Sequence, residues 1–296
     1  MGIQLSTVQS MSIWVDLLHE NTLFSHFIKE HVAEKYKNQL KYYSFLNRNS
    51  DLPFTLKLRV LDACLISAII YGCESWFSSK ISKLNTLYLR KTCPNLVTLL
   101  EVGLPNLSAK VKERQFKFYK KMVTSRSHML DDPFMLMLNV ARQNKSPASM
   151  YIDGVLNSTD KSYITRDIEA MKDKIMDEMG SKFVMYKKLN YDLSKHEIYN
   201  STEVPEYQRI AFSRYRTGSH LLKIETGRWS RVPRENRLCH CAEGSVQDEV
   251  HVIESCALLN ETRSMFPELE FKAEVFFNKN TADVAKFITK AFEILL

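Results

Sequence analysis

Glycine and proline are scarce, with eight of each in 296 residues. Sandwiches and barrels need many tight turns, so this scarcity argues against them. Cysteine is sparse as well, and six residues are too few for a disulfide scaffold of this length. Met1 is followed by Gly-Ile-Gln-Leu-Ser, which lacks the basic and apolar regions of a secretory leader. Gly2 with Thr7 fits the myristoylation pattern poorly. The longest apolar stretch, Val60 to Cys73, is broken by Asp62 and is too short to span a bilayer. It reads as a buried helix. An intracellular protein of the nucleus or cytoplasm, with no membrane partner, is expected.

Catalytic signatures are also missing. The chain has no G-x-x-x-x-G-K-[ST] loop, no G-x-G-x-x-G, no H-E-x-x-H and no G-x-S-x-G. Its one Asp pair, Asp131-Asp132, precedes Pro133 at the start of an expected helix. Two-metal chemistry needs such a pair plus a third carboxylate on a neighbouring strand. Here Asp132 reads as a helix N-cap instead. No enzymatic activity is expected of this chain.

What remains is helix-forming. Hydrophobic residues make up 45% and charged residues 25%, ordinary values for a globular chain that can bury a sizeable core. Apolar spacing predicts helices over 21–43, 54–71, 79–91, 109–122, 133–138, 164–179, 206–216 and 282–296. In the second of these, Leu58, Leu61, Leu65 and Ala68 share a face. Ser108 is the expected N-cap of the helix that follows it. Residues 144–162, rich in Ser, Asn, Asp and Lys, read as a connector, and 187–205 as a polar, irregular break. Cys64, Cys73 and Cys93 lie in apolar stretches and read as core thiols. The fold class expected is mainly α, a helical bundle with a small C-terminal zinc-knuckle module. No internal repeat is visible.

The remaining cysteines form the pattern C-x-C-x9-H-x4-C: Cys239, Cys241, His251 and Cys256. Three thiolates and an imidazole complete the tetrahedral shell of a structural zinc ion, leaving no open position. Asp248 to Cys256 is expected to form a short helix carrying His251, with Cys256 just past its end, and Gly244-Ser245 to turn the chain. His240, between the first two cysteines, is either a competing ligand or solvent-facing. In small zinc modules the ion contributes about 10 kcal/mol or more, offsetting the lack of a core.

The approach to this cluster is basic. Arg209 to Arg237 holds eight Lys or Arg and two Glu, with Tyr215 and Trp229 interleaved. Cations neutralise phosphates and aromatic faces stack on unpaired bases. Arg214, Arg216, Arg228, Trp229, Arg231, Arg234 and Arg237 are the candidate contacts to RNA or single-stranded DNA. The helix over Lys110–Lys121 offers a second basic face.

Two regions carry a family resemblance. Leu52-Pro-Phe … Val60-Leu-Asp-Ala-Cys … Tyr71-Gly-Cys-Glu-Ser-Trp76 resembles the helical thumb segment of non-LTR (LINE-type) retrotransposon reverse transcriptases. Arg216-Thr-Gly218 … Gly227-Arg-Trp229 … Cys239 … Asp248-Glu-Val-His251 … Cys256 … Arg263 is similar to their C-terminal zinc-knuckle region. The single residue between Cys239 and Cys241 is shorter than the usual spacing of the family. The resemblance implies an N-terminal remnant of the polymerase region over 1–50, a thumb-like region over 51–145 and a helical connector over 146–205. A basic approach with the knuckle follows over 206–270, then a closing helix over 271–296. It also implies the remainder of such a polymerase as a partner. No palm or endonuclease residue can be matched. The alternative is a helical protein-interaction module stapled by zinc. The two differ in whether the arginines line one face or pair with acids.

Overall fold

The computed structural model describes residues 52–71, 95–126, 132–157, 162–241, 244–278 and 280–296, with single residues at 30, 34, 37, 44, 45, 48, 49 and 73. The helix expected over 21–43 falls almost wholly outside these residues. The one expected over 79–91 and Cys93 fall outside them altogether. The fold is mainly α. In chain order the helices are α1 (Phe54–Val60), α2 (Asn95–Val102), α3 (Leu107–Arg126), α4 (Pro133–Gln143), α5 (Pro147–Leu156) and α6 (Tyr163–Asp177). There follow α7 (Ser181–Leu189), α8 (Glu206–Arg216), α9 (Lys223–Trp229), α10 (Glu249–Glu254), α11 (Asn260–Ser264) and α12 (Thr281–Leu295). No strand occurs among the described residues, only an antiparallel bridge between Leu238 and Val246. None of their helices is long and apolar enough to cross a membrane.

The described residues fall into two compact units. One lies within Met1–Asn49, Leu58–Leu87 and Pro105–Asp167, the other within Ser50–Lys57, Tyr88–Leu104 and Ile168–Leu296. In the first, the end of α1 from Leu58 onward continues through a π-helical turn, Leu61–Ile66, into Ser67–Ile69. A π turn takes in an extra residue and so rotates the side chains that follow. Ile66, Ile69, Ile70 and Cys73 are therefore the buried positions, whereas Leu58, Leu61 and Ala68 are only half-buried. Cys64 is half-buried too, not the core thiol its neighbours suggested.

α3 runs longer than its apolar spacing predicted. It starts one residue before Ser108, because the Asn106 carbonyl accepts from the Ala109 and Lys110 amides. Val111, Gln115 and Tyr119 point into the core of this unit, while Lys112, Lys117, Lys120 and Lys121 face outward. Tyr119, Leu138, Ile152 and Val155 form the centre of that core. Asp132 caps α4 as expected, its Oδ1 accepting from the Met135 amide at 3.2 Å. The connector expected over 144–162 contains α5. Ser146 caps it by accepting from the Ser149 amide at 3.2 Å, and Pro147 opens it. The polar residues there are helix-start chemistry, not loop composition. Glu113 accepts from the Tyr163 amide at 2.9 Å at the start of α6. Burial alone would raise its pKa, but hydrogen bonds from Ser162, Lys117 and Tyr163 hold the carboxyl below the usual range.

In the second unit α12 supplies Val284, Ala285, Phe287, Ile288, Ala291 and Leu295, the buried stripe of an amphipathic helix. Asn280 caps it, accepting from the Ala282 and Asp283 amides at 3.1 and 3.4 Å. This stripe packs with Phe212 and Tyr215 of α8, with Val252 and Ile253 of α10, and with Phe276 and Phe277. Each such side chain contributes about 1.5–3 kcal/mol on burial. The polar stretch 187–205 feeds the same core with Leu189, Ile198, Tyr199 and Val204. His196 binds it in place: Nδ1 accepts from the Ile198 amide at 3.1 Å and Nε2–H donates to the Phe277 carbonyl at 2.8 Å. Burial depresses the pKa of His196, which keeps this neutral tautomer.

A buried polar knot completes the unit. Glu101 accepts from the Arg216 guanidinium at 2.9 and 3.2 Å, and from the hydroxyls of Tyr186 and Tyr199 at 3.0 and 2.8 Å. Burial and the neighbouring Glu101 charge push both phenols well above their ordinary range, so they remain donors.

Candidate metal centre

Two arms bring the Cys/His cluster together. The first is a tight reversal. Gly244 adopts φ +63°, Cys239 N donates to the Ser245 carbonyl at 2.8 Å, and Gln247 N to the Arg237 carbonyl at 2.9 Å. A left-handed residue at the turn suits glycine, which has no Cβ to clash. The second arm is α10. Asp248 caps it by accepting from the His251 amide at 3.0 Å, and Cys256 N donates to the His251 carbonyl at 2.8 Å. The cap sets where the helix begins, and hence which way His251 points. Cys256 follows just beyond the helix end, as its spacing predicted.

All four side chains are buried, and their ligand atoms lie within 4.8 Å of one another. Cys239 Sγ is 3.7 Å from Cys256 Sγ, and Cys241 Sγ is 3.4 Å from His251 Nε2. The short C-x-C gap therefore does not keep Cys241 out of the cluster. His240 is exposed, so it is the solvent-facing residue of the pair of readings left open above. The four make a candidate metal site.

The surrounding groups suit a metal. His251 Nδ1 is 3.0 Å from Ser255 Oγ, which leaves Nε2 as the lone-pair nitrogen facing the thiols. Gln247 Nε2 lies 3.8 Å from Cys239 Sγ, while its Oε1 accepts from the Lys223 amide at 2.8 Å. Burial, then the neighbouring Cys239, pushes the Cys256 thiol up to about 12. A bound cation reverses that cost, because it stabilises thiolates directly.

The candidate nucleic-acid contacts divide. Arg216 is turned inward against Glu101, so it is a core residue and not a phosphate contact. Arg237 is also structural: its guanidinium donates to the Ile224 carbonyl at 2.8 Å and to the Val232 carbonyl at 2.9 and 2.7 Å. Tyr215 is wholly buried, its hydroxyl donating to the Glu249 carbonyl at 2.6 Å. Arg228 pairs with Glu225 at 3.0 Å, and Arg234 with Asp248 at 2.9 Å, though the Arg234 side chain stays 65% exposed. Arg214, Arg231 and Trp229 are exposed.

The glycines that carried the resemblance also have local reasons. Gly218, at φ +60°, ends α8, with Ser219 N donating back to the Arg214 carbonyl at 2.8 Å. At Gly227 a Cβ would lie 2.7 Å from Arg237 Cγ. Gly227→Ala is therefore expected to destabilise the second unit by about 1–3 kcal/mol through overpacking against a fixed arginine. A denaturant melt of the variant checks this, and an unchanged midpoint would refute it.

Compared with family models, curated proteins and solved structures, the chain matches none. The roles of Gln247 and Ser255 beside the cluster went unread in the sequence, as did that of Glu101 as the partner of Arg216. Only Ser255 had a signal, standing four residues beyond His251 on one helical face.

Proposed function

We propose that Cys239, Cys241, His251 and Cys256 bind one structural zinc ion. We further propose that the unit around it binds RNA or single-stranded DNA, as the C-terminal piece of a non-LTR reverse transcriptase without a polymerase site of its own. The ligand geometry supports zinc. A tetrahedral ion with Zn–S of about 2.3 Å and Zn–N of about 2.05 Å has S···S edges of about 3.8 Å and S···N edges of about 3.6 Å. The separations of 3.7 and 3.4 Å fit those edges. Four protein donors leave no position for water, so the ion staples the fold and activates nothing.

The observation that supports nucleic-acid binding is the end of α9 and the residues that follow it. Trp229, 59% exposed, is followed in the chain by Arg231, whose backbone is held at φ +56°, and by Arg234, whose side chain is 65% exposed. An exposed indole among cations is the combination that stacks an unpaired base and neutralises its phosphates. The second reading, a zinc-stapled protein-interaction module, is favoured by the acid partners of Arg216, Arg228 and Arg234.

Fluorescence anisotropy with a labelled single-stranded RNA separates the two. Trp229→Ala is expected to weaken binding by about 5- to 150-fold, the equivalent of 1–3 kcal/mol for one stacked base. Arg231→Glu should flatten the salt dependence. Absence of salt-dependent binding to the RNA would sink the nucleic-acid reading and leave the interaction module, and binding that survives both changes would take Trp229 and Arg231 out of the binding face.

A further inference from the structure

Zinc modules without a core are disordered until the ion arrives, because ligand assembly and folding are one event. The cluster here sits differently. Cys239, Cys241 and Cys256 belong to the same buried core as Phe212, Tyr215, Phe276 and Phe287. The arm that carries His251 and Cys256 has its own anchor, Arg263 of α11. The Arg263 guanidinium donates through Nη2 to the Val252 carbonyl at 3.1 Å, through Nε to Ile253 at 2.9 Å and through Nη1 to Cys256 at 2.9 Å. Nη1 also reaches Asn260 Oδ1 at 2.9 Å, and the Phe271 ring lies 5.8 Å from the guanidinium carbon.

The Val252 and Ile253 carbonyls belong to the end of α10, where helix carbonyls have no intrahelical partner, and the Cys256 carbonyl, which also accepts from the Leu259 amide at 3.0 Å, belongs to the turn after it. A cation at a helix C-terminus is also favoured by the helix dipole. A guanidinium presents its donors in a rigid fork, so three carbonyls on one fork are fixed relative to each other. The fork spans the residues between His251 and Cys256, and it fixes the offset between those two ligands.

We propose that Arg263 is the positioning residue of the metal site: it sets the His251–Cys256 arm in ligating geometry before any ion arrives, so that the site is a preformed receptor. This rests on the zinc reading above. Zinc then enters a folded site, and the metal can be removed and restored without unfolding the chain. The Asp248 cap holds the other end of the same arm through the His251 amide, and Gln247 holds the first arm at Cys239.

The test uses the full chain and Zn2+ alone, with affinity read by competition against a chromophoric chelator. Arg263→Met is expected to weaken zinc binding by about 10- to 100-fold, as loss of a supporting group around the ligands does. Arg263→Lys, which keeps the charge but not the fork, should recover only part of that loss. Equal affinity in Arg263→Met and wild type would overturn the proposal. A wild-type chain that takes up no zinc would instead overturn the metal reading. Because Arg263→Met could itself unfold, hydrogen exchange on the zinc-free wild-type chain decides independently. Protected amides at Val252, Ser255 and Cys256 are expected, and free exchange of all three would refute a preformed arm.

Discussion

Cys256→Ser is expected to reduce bound zinc from about one ion per chain to a trace, because a closed four-ligand site has no spare donor. The hydroxyl is a poor zinc ligand, and it would sit among Cys239, Cys241 and His251 in a pocket where Cys256 is 0% exposed. The stability cost follows from linkage. With free zinc at about a thousand times its dissociation constant, binding to the native state contributes about 4 kcal/mol. At about 2–4 °C per kcal/mol for a unit of this size, the melting midpoint should fall by roughly 8–16 °C. Elemental analysis and a thermal melt with and without chelator check both parts. Chelated wild type should melt close to Cys256→Ser, since both lack the ion, and both should keep their helical signal because the core is shared. Cys64→Ser, at a half-buried position in the other unit, should change neither quantity. Full zinc content in Cys256→Ser would reject the ligand set.

The ligands were legible because their chemistry is local. Asp248 lies three residues before His251, and Cys256 five after it, so one short capped helix carries His251 and delivers Cys256 just past its end. The same held for α8 and α12, whose stripes and boundaries lie within single stretches of sequence. The arginines were less legible because their partners are distant. Arg216 meets Glu101 across 115 positions, and no spacing rule links them. A run of cations reads as a surface unless the buried acid that answers one of them is known. α5 was missed for another reason: Ser146-Pro147 is a helix start, yet the Ser- and Asn-rich residues around it have loop composition.

Arg216→Met is expected to be the most damaging single change outside the metal ligands. Arg216 is 3% exposed and Glu101 only 1%. Removing the guanidinium leaves the carboxylate buried with two phenol donors and no counter-charge. Breaking a buried pair on one side costs about 3–5 kcal/mol, while replacing both partners with apolar groups of similar size is often close to neutral. Arg216→Met with Glu101→Leu should therefore recover much of the loss, reduced by the two hydroxyls, Tyr186 and Tyr199, that then lose their acceptor. Urea melts of the single and double variants give the coupling directly. The same series bears on function. If Arg216→Met costs under about 1 kcal/mol, the side chain behaves as a solvent-exposed one, and Arg216 returns to the set of candidate phosphate contacts. A large loss with strong coupling fixes it as core, and the binding face then narrows to Arg214, Trp229, Arg231 and Arg234.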